Sequence, residues 1–250
     1  MNRKAVFMDI DGTLIWDSKV SDRVLNAIQK ARALGHMFFI CTGRSKSYLP
    51  REVRNADYLD GYVMSCGMHC EINSETIYRE AFTAEELHSI ARYACESGRA
   101  CHFEGGTKIL TINSDRSDFV QVSTYAELIA GFEEERIYKI SIEGKNCHDD
   151  NPLLLDRFAV FDMGHYCDIV RKGISKATGM QCVLEKTGIP RENCIGIGDG
   201  SNDLPMIRFA GLGIAMGNAP DHVKAEADAV TETCYNDGVA VMIEKYILNK

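Results

Sequence analysis

An apolar run that ends at two aspartates constrains this chain more than any other feature. Residues 5–8 are all apolar, and Asp9 and Asp11 follow them directly. Side chains two positions apart on a strand point the same way, so the pattern predicts a buried strand that brings both carboxylates together. A hard divalent cation, with Mg²⁺ preferred, would relieve their repulsion and leave one carboxylate free to attack phosphorus. A surface turn with two solvated aspartates is the alternative that this stretch leaves open.

Composition favours a folded protein with a sizeable core. The 250 residues are 45% hydrophobic and 26% charged, which suits one large or two modest domains. The first residues lead straight into the strand without a signal-length apolar stretch, and no run approaches the ~20 apolar residues of a membrane-spanning helix. We therefore expect a cytoplasmic protein without membrane contact.

Cysteine usage and charge exclude further classes. The ten cysteines are scattered, several inside apolar runs, so we expect reduced core residues. Cys66 and Cys70 flank His69 closely, but no second pair follows at zinc-finger spacing. With 28 basic against 36 acidic residues and no polybasic block, the net charge of −8 disfavours nucleic acid as a partner. Local positive charge is then needed to hold an anionic substrate.

Strand and helix patterns alternate in the first part of the chain. A helix capped by Ser21 or Asp22 and stopped at Gly35 follows the first strand. The pattern continues with a strand at 37–41, a helix over about 45–55, a strand at 62–65 and a hairpin over 70–80. Continuous apolar strands of this kind are typical of a parallel sheet covered on both faces.

Alternation resumes after Asp168. The predicted elements are a helix near 175–187, a strand at 194–198, a helix near 202–210, a strand at 213–216, a helix near 221–227, a short strand at 228–231 and a helix over 238–248. Together with the first part they predict an α/β fold with a Rossmann-like, doubly wound parallel sheet.

The middle of the chain lacks this alternation. Thr83 and Glu86 form a capping-box pattern that opens a helix to about Ser97. Strand-like runs near 100–104, 108–113, 137–143 and 157–162 follow, with a polar turn at 146–152. We predict that 83–167 is an inserted α+β cap domain, and that 1–82 and 168–250 form the core.

Thr42 and Gly43 follow the second predicted strand, and Lys176 lies at the start of a predicted helix. Ligands of an open α/β sheet bind at the carboxyl ends of its strands, so these residues can meet Asp9 and Asp11. A hydroxyl and an unobstructed N–H suit a phosphoryl oxygen, and an ammonium at a helix N-terminus suits an anion. A structural turn and a solvated lysine are the alternatives for these residues taken singly.

Asp199 and Asp203 flank a glycine-rich turn after the strand at 194–198. Their carboxylates could complete an all-oxygen Mg²⁺ site with the first two aspartates, leaving waters and substrate oxygens as the other ligands. The same spacing also fits ordinary helix capping by Ser201 or Asn202, and the residues alone leave that alternative open.

The four segments together resemble the haloacid dehalogenase superfamily, and within it the Cof-type phosphatases with a cap inserted after the second motif. The matching motifs are DIDGTL at 9–14, TGR at 42–44, GISK at 173–176 and GDGSND at 198–203. Their order is correct, and the resemblance covers nearly the whole chain.

The resemblance implies a role for each motif residue. Asp9 would attack phosphorus to form an aspartyl-phosphate, and Asp11 would protonate the leaving oxygen and then activate the hydrolytic water. Mg²⁺ would be bound by Asp9, the backbone carbonyl of Asp11 and Asp199, with Asp203 supporting the site. The residues implied to hold the phosphoryl oxygens are Thr42, Gly43, Lys176 and Asn202.

One motif departs from the family pattern. Cys66-Gly67-Met68 stands where the family usually carries Asn-Gly-Ala, which puts substrate preference in doubt but not the reaction. Cap residues that could contact the rest of the substrate are His102, Glu104, Lys108 and Lys139, although each is more often a solvated surface residue.

The sequence thus predicts a magnesium-dependent phosphatase of small phosphorylated metabolites, such as sugar phosphates, acting as a monomer or small homo-oligomer. A phosphomutase on the same scaffold and a non-catalytic regulator that binds a phosphometabolite are the alternatives. The intact set of Asp9, Asp11, Lys176 and Asp199 argues against the regulator.

Overall fold

The computed structural model describes residues 3–144 and 156–249. Its strands are β1 (Ala5–Met8), β2 (Met37–Cys41), β3 (Gly61–Met64), β4 (His69–Ile72), β5 (Glu75–Arg79), β6 (Cys101–Gly105), β7 (Ile109–Ile112), β8 (Val120–Gln121), β9 (Ile137–Glu143), β10 (Phe158–Asp162), β11 (Tyr166–Arg171), β12 (Cys194–Gly198), β13 (Leu212–Ala215) and β14 (Ala229–Val230). Its helices are α1 (Asp22–Ala33), α2 (Ala84–Ser97), α3 (Tyr125–Glu134), α4 (Lys176–Thr187), α5 (Leu204–Phe209), α6 (Asp221–Lys224) and α7 (Gly238–Tyr246).

The first sheet has eight strands in the order β14-β13-β12-β1-β2-β3-β4-β5. Strands β14 to β3 are parallel, and the β4–β5 hairpin adds two antiparallel strands at one edge. Alternate residues of β1 face opposite sides: Val6 packs in a cluster with α1 and α7, and Phe7 packs in another with α4 and α5. The predicted doubly wound core is therefore confirmed.

The second sheet has six strands in the order β10-β11-β9-β6-β7-β8. Helices α2 and α3 cover one face, where Leu87 and Leu128 pack with Phe103 and Ile140. Along the chain, β11 is the last strand of this sheet, and it ends at Arg171, after the predicted end of the cap at residue 167. The limits 83–167 for the cap stay a prediction.

The helix predicted over 45–55 is wrong. A single 3-10 turn at Lys46–Tyr48 forms there, and Leu49 is extended with φ −66° and ψ 132°. The ring of Pro50 disfavours the helical conformation in the residue before it, which agrees with the extended backbone of Leu49. Helix α3 and strands β8 and β11 were not predicted, and the turn predicted at 146–152 lies outside the described residues.

Within the described residues, the helices are too short or too polar to cross a membrane. The nine described cysteines are free thiols, which agrees with the expected reduced state.

Candidate active site

Lys176 and Asp9 form a buried ion pair at the carboxyl edge of the first sheet. Asp9 follows β1, and Lys176 is the first residue of α4. Lys176 has no exposed surface, and its Nζ lies 2.7 Å from Asp9 Oδ1 and 2.5 Å from Asp203 Oδ1. The solvated-lysine alternative is therefore wrong. Burial raises the pKa of Asp9, and the ammonium of Lys176 opposes that rise.

Asp203 shapes the loop after β12. Its Oδ2 accepts hydrogen bonds from the N–H groups of Asp199, at 3.0 Å, and of Gly200, at 2.9 Å. Because Oδ1 already contacts Lys176, both carboxylate oxygens have protein partners. Asp203 therefore holds the backbone of the turn that precedes it, and neither Ser201 nor Asn202 makes a side-chain cap hydrogen bond among the described residues.

Asp199 faces Asp9 across the end of the sheet. Its Oδ1 accepts from Thr13 Oγ at 3.4 Å, and its Oδ2 accepts from Asn218 Nδ2 at 3.1 Å. Gly12, at φ +71°, leaves room for this carboxylate, since a Cβ there would lie 2.3 Å from Asp199 Oδ2. Burial, followed by the charge of Asp203, raises the pKa of Asp199 to about 6.

These carboxylates form a donor set that fits a hard divalent cation. Asp9, Asp199 and Asp203 each offer an oxygen, and the three oxygens lie within 4.8 Å of one another. Mg²⁺ prefers oxygen ligands, and its charge would offset the repulsion between these buried carboxylates. Asn218 lies outside the four motifs, and its amide orients Asp199 by donating both to Asp199 Oδ2 and, at 2.9 Å, to Gly12 O.

The Asp11 side chain points away from this cluster and pairs with Arg44. Arg44 Nε lies 2.7 Å from Asp11 Oδ2, and Nη2 lies 2.8 Å from Oδ1. The guanidinium also lies over the Tyr48 ring, 4.5 Å from its centroid. Arg44 holds the carboxylate of Asp11 away from the other carboxylates. Metal binding by Asp11 therefore stays a prediction that concerns its backbone carbonyl.

A cavity of about 540 Å³ opens between the two sheets. The predicted residues that line it are Asp9, Asp11, Thr42, Gly43, Asp199 and Asn202. Lys176 and Asp203 are fully buried beside Asp9. A Cβ at Gly43 would lie 3.1 Å from Asn202 Nδ2, so the glycine lets this amide approach the backbone closely. The structure thus brings the residues of all four motifs together.

The second sheet supplies the opposite wall of the cavity. Three of the four cap candidates, His102, Glu104 and Lys139, line it, whereas Lys108 pairs with Glu134 at 2.7 Å. Lys139 is buried, which contradicts the solvated alternative for this residue.

The charges on this wall are paired. Lys139 Nζ lies 2.7 Å from Glu104 Oε1 and 3.0 Å from Asp168 Oδ1. Although burial opposes it, the carboxylates of Asp168 and Glu104 raise the pKa of Lys139, so the ammonium stays charged. Asp168 was not among the sequence candidates, and residues 166–171 lack the regular alternation of polar and apolar residues that could have identified it.

Cys66, the departure from the family pattern, is fully buried at φ +53°. Burial raises the pKa of its thiol to about 12. Its side chain packs in the apolar cluster of the second sheet with Met68 and Phe82. Cys66 is therefore a neutral packing residue at neutral pH.

Comparisons with known proteins agree over nearly the whole chain. The family model of the haloacid dehalogenase-like hydrolases matches residues 6–243. A 5-amino-6-(5-phospho-D-ribitylamino)uracil phosphatase of Bacillus subtilis is 30% identical over 252 residues, covering 98% of this chain and 96% of the relative. A pyridoxal phosphate phosphatase of Escherichia coli is 26% identical, covering 99% of this chain and 100% of the relative.

Among solved structures, a sugar phosphatase of haloacid dehalogenase subclass IIB matches with a TM-score of 0.86 at 27% identity. The match covers 97% of this chain and 98% of that chain. Both the sheet that carries the motif residues and the sheet that covers them thus fall within the matched region.

Proposed function

This chain belongs to the haloacid dehalogenase-like hydrolases and is a phosphoric monoester hydrolase, and we propose from this premise that it is a magnesium-dependent phosphatase working through an aspartyl-phosphate on Asp9. The observation that carries the proposal is the position of Asp9. Its carboxylate lines the cavity, is held by the buried ammonium of Lys176 and lies within the carboxylate cluster.

Asp9 is the proposed nucleophile. Lys176 engages Oδ1, which fixes the orientation of the carboxylate toward the cavity. A bond forms between a carboxylate oxygen of Asp9 and phosphorus, and the bond from phosphorus to the ester oxygen breaks. Asp9, Asp199 and the Asp11 backbone carbonyl would hold Mg²⁺, which would neutralise charge at the phosphoryl group.

Asp11 is the proposed acid and base. Its proton goes to the departing ester oxygen, and the resulting carboxylate then takes a proton from the water that attacks the aspartyl-phosphate. Release of inorganic phosphate restores Asp9. Thr42, Gly43 and Asn202 line the same cavity as Asp9, and Lys176 is buried in contact with Asp9; these four residues are proposed to hold the phosphoryl oxygens.

We propose a small phosphorylated metabolite as substrate. The three relatives described above are named for a ribityl-uracil phosphate, pyridoxal phosphate and a sugar phosphate, which share only a phosphate ester on a small polar molecule. A concave cavity of about 540 Å³ suits such a molecule better than a nucleic acid or a membrane surface. A cytoplasmic location, a monomer or small homo-oligomer, and a cap over 83–167 belong to the same proposal.

Turnover of a panel of phosphorylated metabolites, with Mg²⁺ and with a chelator, tests this function. We expect release of inorganic phosphate that depends on Mg²⁺ and is abolished in Asp9→Asn. Isomerised phosphosugar without released phosphate would favour the phosphomutase. Tight ligand binding without any phosphate release in Mg²⁺ would favour the regulator.

A further inference from the structure

Asp168 presents a buried carboxylate oxygen to the cavity. The residue is 1% exposed and lines the cavity. Its Oδ1 accepts from Ser141 Oγ at 2.8 Å and lies 3.0 Å from Lys139 Nζ. Within residues 3–144 and 156–249, no hydrogen bond reaches Oδ2. That oxygen would lie 3.2 Å from a Cβ at Gly43, which is one of the residues proposed to hold the phosphoryl oxygens.

The strands around Asp168 fix its orientation. Asp168 on β11 is the register partner of Ser141 on β9, and Lys139 on β9 is the partner of Glu104 on β6. Glu104 Oε1 contacts both Lys139, at 2.7 Å, and Ser141 Oγ, at 3.1 Å. Asp168 therefore cannot turn Oδ1 toward the cavity without leaving its partners, and a partner for Oδ2 has to come from the ligand or from water.

The same cluster is anchored to the first sheet. Glu104 Oε2 accepts from the backbone N–H of Ser45 at 3.2 Å, and Ser47 Oγ donates to Gly105 O at 2.9 Å. These contacts hold β6 against the segment that follows Gly43. The Asp168 carboxylate is thereby held close to the end of the cavity where the phosphoryl group is proposed to bind.

The charge of the side chains around Asp168 determines which groups of a substrate can bind at its Oδ2. Two carboxylates share one ammonium, so the cluster of Glu104, Lys139 and Asp168 carries a net negative charge. Burial raises the pKa of Asp168, and the ammonium of Lys139 opposes that rise. An ionised carboxylate accepts hydrogen bonds and donates none. An anionic group of the substrate would be repelled at this point, whereas a hydroxyl could donate to it.

We propose that Asp168 is a specificity-determining residue that accepts a hydrogen bond from a hydroxyl on the carbon next to the ester carbon, so that the cavity selects hydroxylated phosphate esters of the polyol or sugar type. This inference rests on the proposed phosphatase function. The second sheet would thereby select the substrate, because Asp168 belongs to β11. The residues proposed to hold the phosphoryl oxygens belong to the part of the chain that forms the first sheet.

The test compares two esters that differ by one hydroxyl, glycerol 3-phosphate and 3-hydroxypropyl phosphate, with p-nitrophenyl phosphate as reference. The full-length enzyme is assayed with Mg²⁺. We expect wild type to prefer glycerol 3-phosphate by about 10-fold in kcat/KM, the scale of a hydrogen bond to a charged group. In Asp168→Asn the preference should fall to about threefold or less, because the amide lacks the charge.

Asp57→Asn is the matched control. It makes the same change from carboxylate to amide at an exposed residue that does not line the cavity, so its preference for glycerol 3-phosphate should stay at the wild-type value. The inference is overturned if wild type lacks the preference, if Asp168→Asn keeps it, or if Asp168→Asn slows all three esters equally.

Two further outcomes can be told apart from a failure of the role proposed for Asp168. If Asp168→Asn does not fold, as judged by its thermal melting, the wild-type comparison alone decides, since the two esters differ only in the hydroxyl. If wild type turns over none of the three esters with Mg²⁺, the proposed function fails; turnover of all three without preference overturns only the role of Asp168.

Discussion

The guanidinium of Arg44 holds the carboxylate of Asp11 through two hydrogen bonds, from Nε to Oδ2 at 2.7 Å and from Nη2 to Oδ1 at 2.8 Å. A bidentate pair fixes geometry as well as charge. Arg44 is in turn fixed, because Nη1 donates to Tyr48 O at 3.2 Å and the guanidinium lies over the Tyr48 ring. One of the two bonds has to open before Asp11 can carry the proton that it is proposed to donate, while the other keeps the proposed acid in place.

Arg44→Lys should impair the reaction where leaving-group protonation matters. Lysine keeps the charge but cannot make the planar, two-point contact. We expect kcat/KM for a sugar phosphate to fall by about 10-fold and that for p-nitrophenyl phosphate by about threefold or less, one factor of ten corresponding to roughly 1.4 kcal/mol. Steady-state kinetics on both substrates measure this, and equal losses would show that Arg44 acts on binding instead.

Asp11→Asn separates attack from protonation. A nitrophenolate leaves without a proton, so the variant should still release nitrophenol, whereas turnover of sugar phosphates should be almost lost. Single-turnover assays with the two substrates give the comparison. An equal fall on both would contradict the role of Asp11 as the acid.

Lys176→Ala should be far more damaging than Lys245→Ala. Lys176 contacts both Asp9 and Asp203 with no exposed surface, while Lys245 on α7 lies over the Tyr246 ring. Losing one group that stabilises transition-state charge costs about 10²- to 10³-fold in kcat. The Lys245 variant should keep wild-type kcat, and indistinguishable kinetics for the two would rule out a catalytic role for Lys176.

Lys176→Ala should also destabilise the fold. Two buried carboxylates lose their common partner, and breaking a buried ion pair costs on the order of 3–5 kcal/mol. Chemical denaturation without metal measures the free energy of unfolding. A variant as stable as wild type would mean that water or rearranged donors replace the ammonium.

Stability should fall on mild acidification because of His36. Its ring is buried, and Nδ1 accepts from the Lys4 N–H at 3.0 Å, which requires an unprotonated Nδ1. Burial, then the charge of Lys4, lowers the pKa of His36 below 6.5. A lowered pKa means that the native state favours the neutral ring, so this stabilisation is present above about pH 6.5 and is lost as the pH falls through the native value.

His36→Asn is the variant that isolates this effect, because its amide oxygen can accept the same hydrogen bond without titrating. Denaturation at several pH values between about 7.5 and 5 should show a steeper loss of unfolding free energy in wild type than in the variant. Parallel curves would assign the acid sensitivity to other groups.

The motif residues were predictable from sequence because each lies at a strand end or a helix start. Asp9 and Asp199 follow apolar strands, and parallel strands bring such residues to one edge. The helix over 45–55 was mispredicted because the prediction did not take account of Pro50, which disfavours the helical conformation at Leu49.

The wall formed by the second sheet was only partly predictable. His102 and Glu104 on β6 alternate with apolar residues, as do Lys139 and Ser141 on β9, and that alternation predicts one polar face. Which polar residues meet depends on the register between strands far apart in sequence. The pairing of Asp168 with Ser141 is of this kind, so the sequence could not assign it.

The central claim, a phosphoryl group carried by Asp9, is tested most directly by trapping it. Wild-type enzyme turning over p-nitrophenyl phosphate in Mg²⁺ is quenched with borohydride, which reduces an acyl phosphate to the alcohol, and its peptides are analysed by mass spectrometry. The account predicts homoserine at position 9, dependent on substrate and Mg²⁺, with Asp11, Asp199 and Asp203 unchanged. Phosphate release with position 9 still aspartate, or conversion at another of these positions, would contradict it.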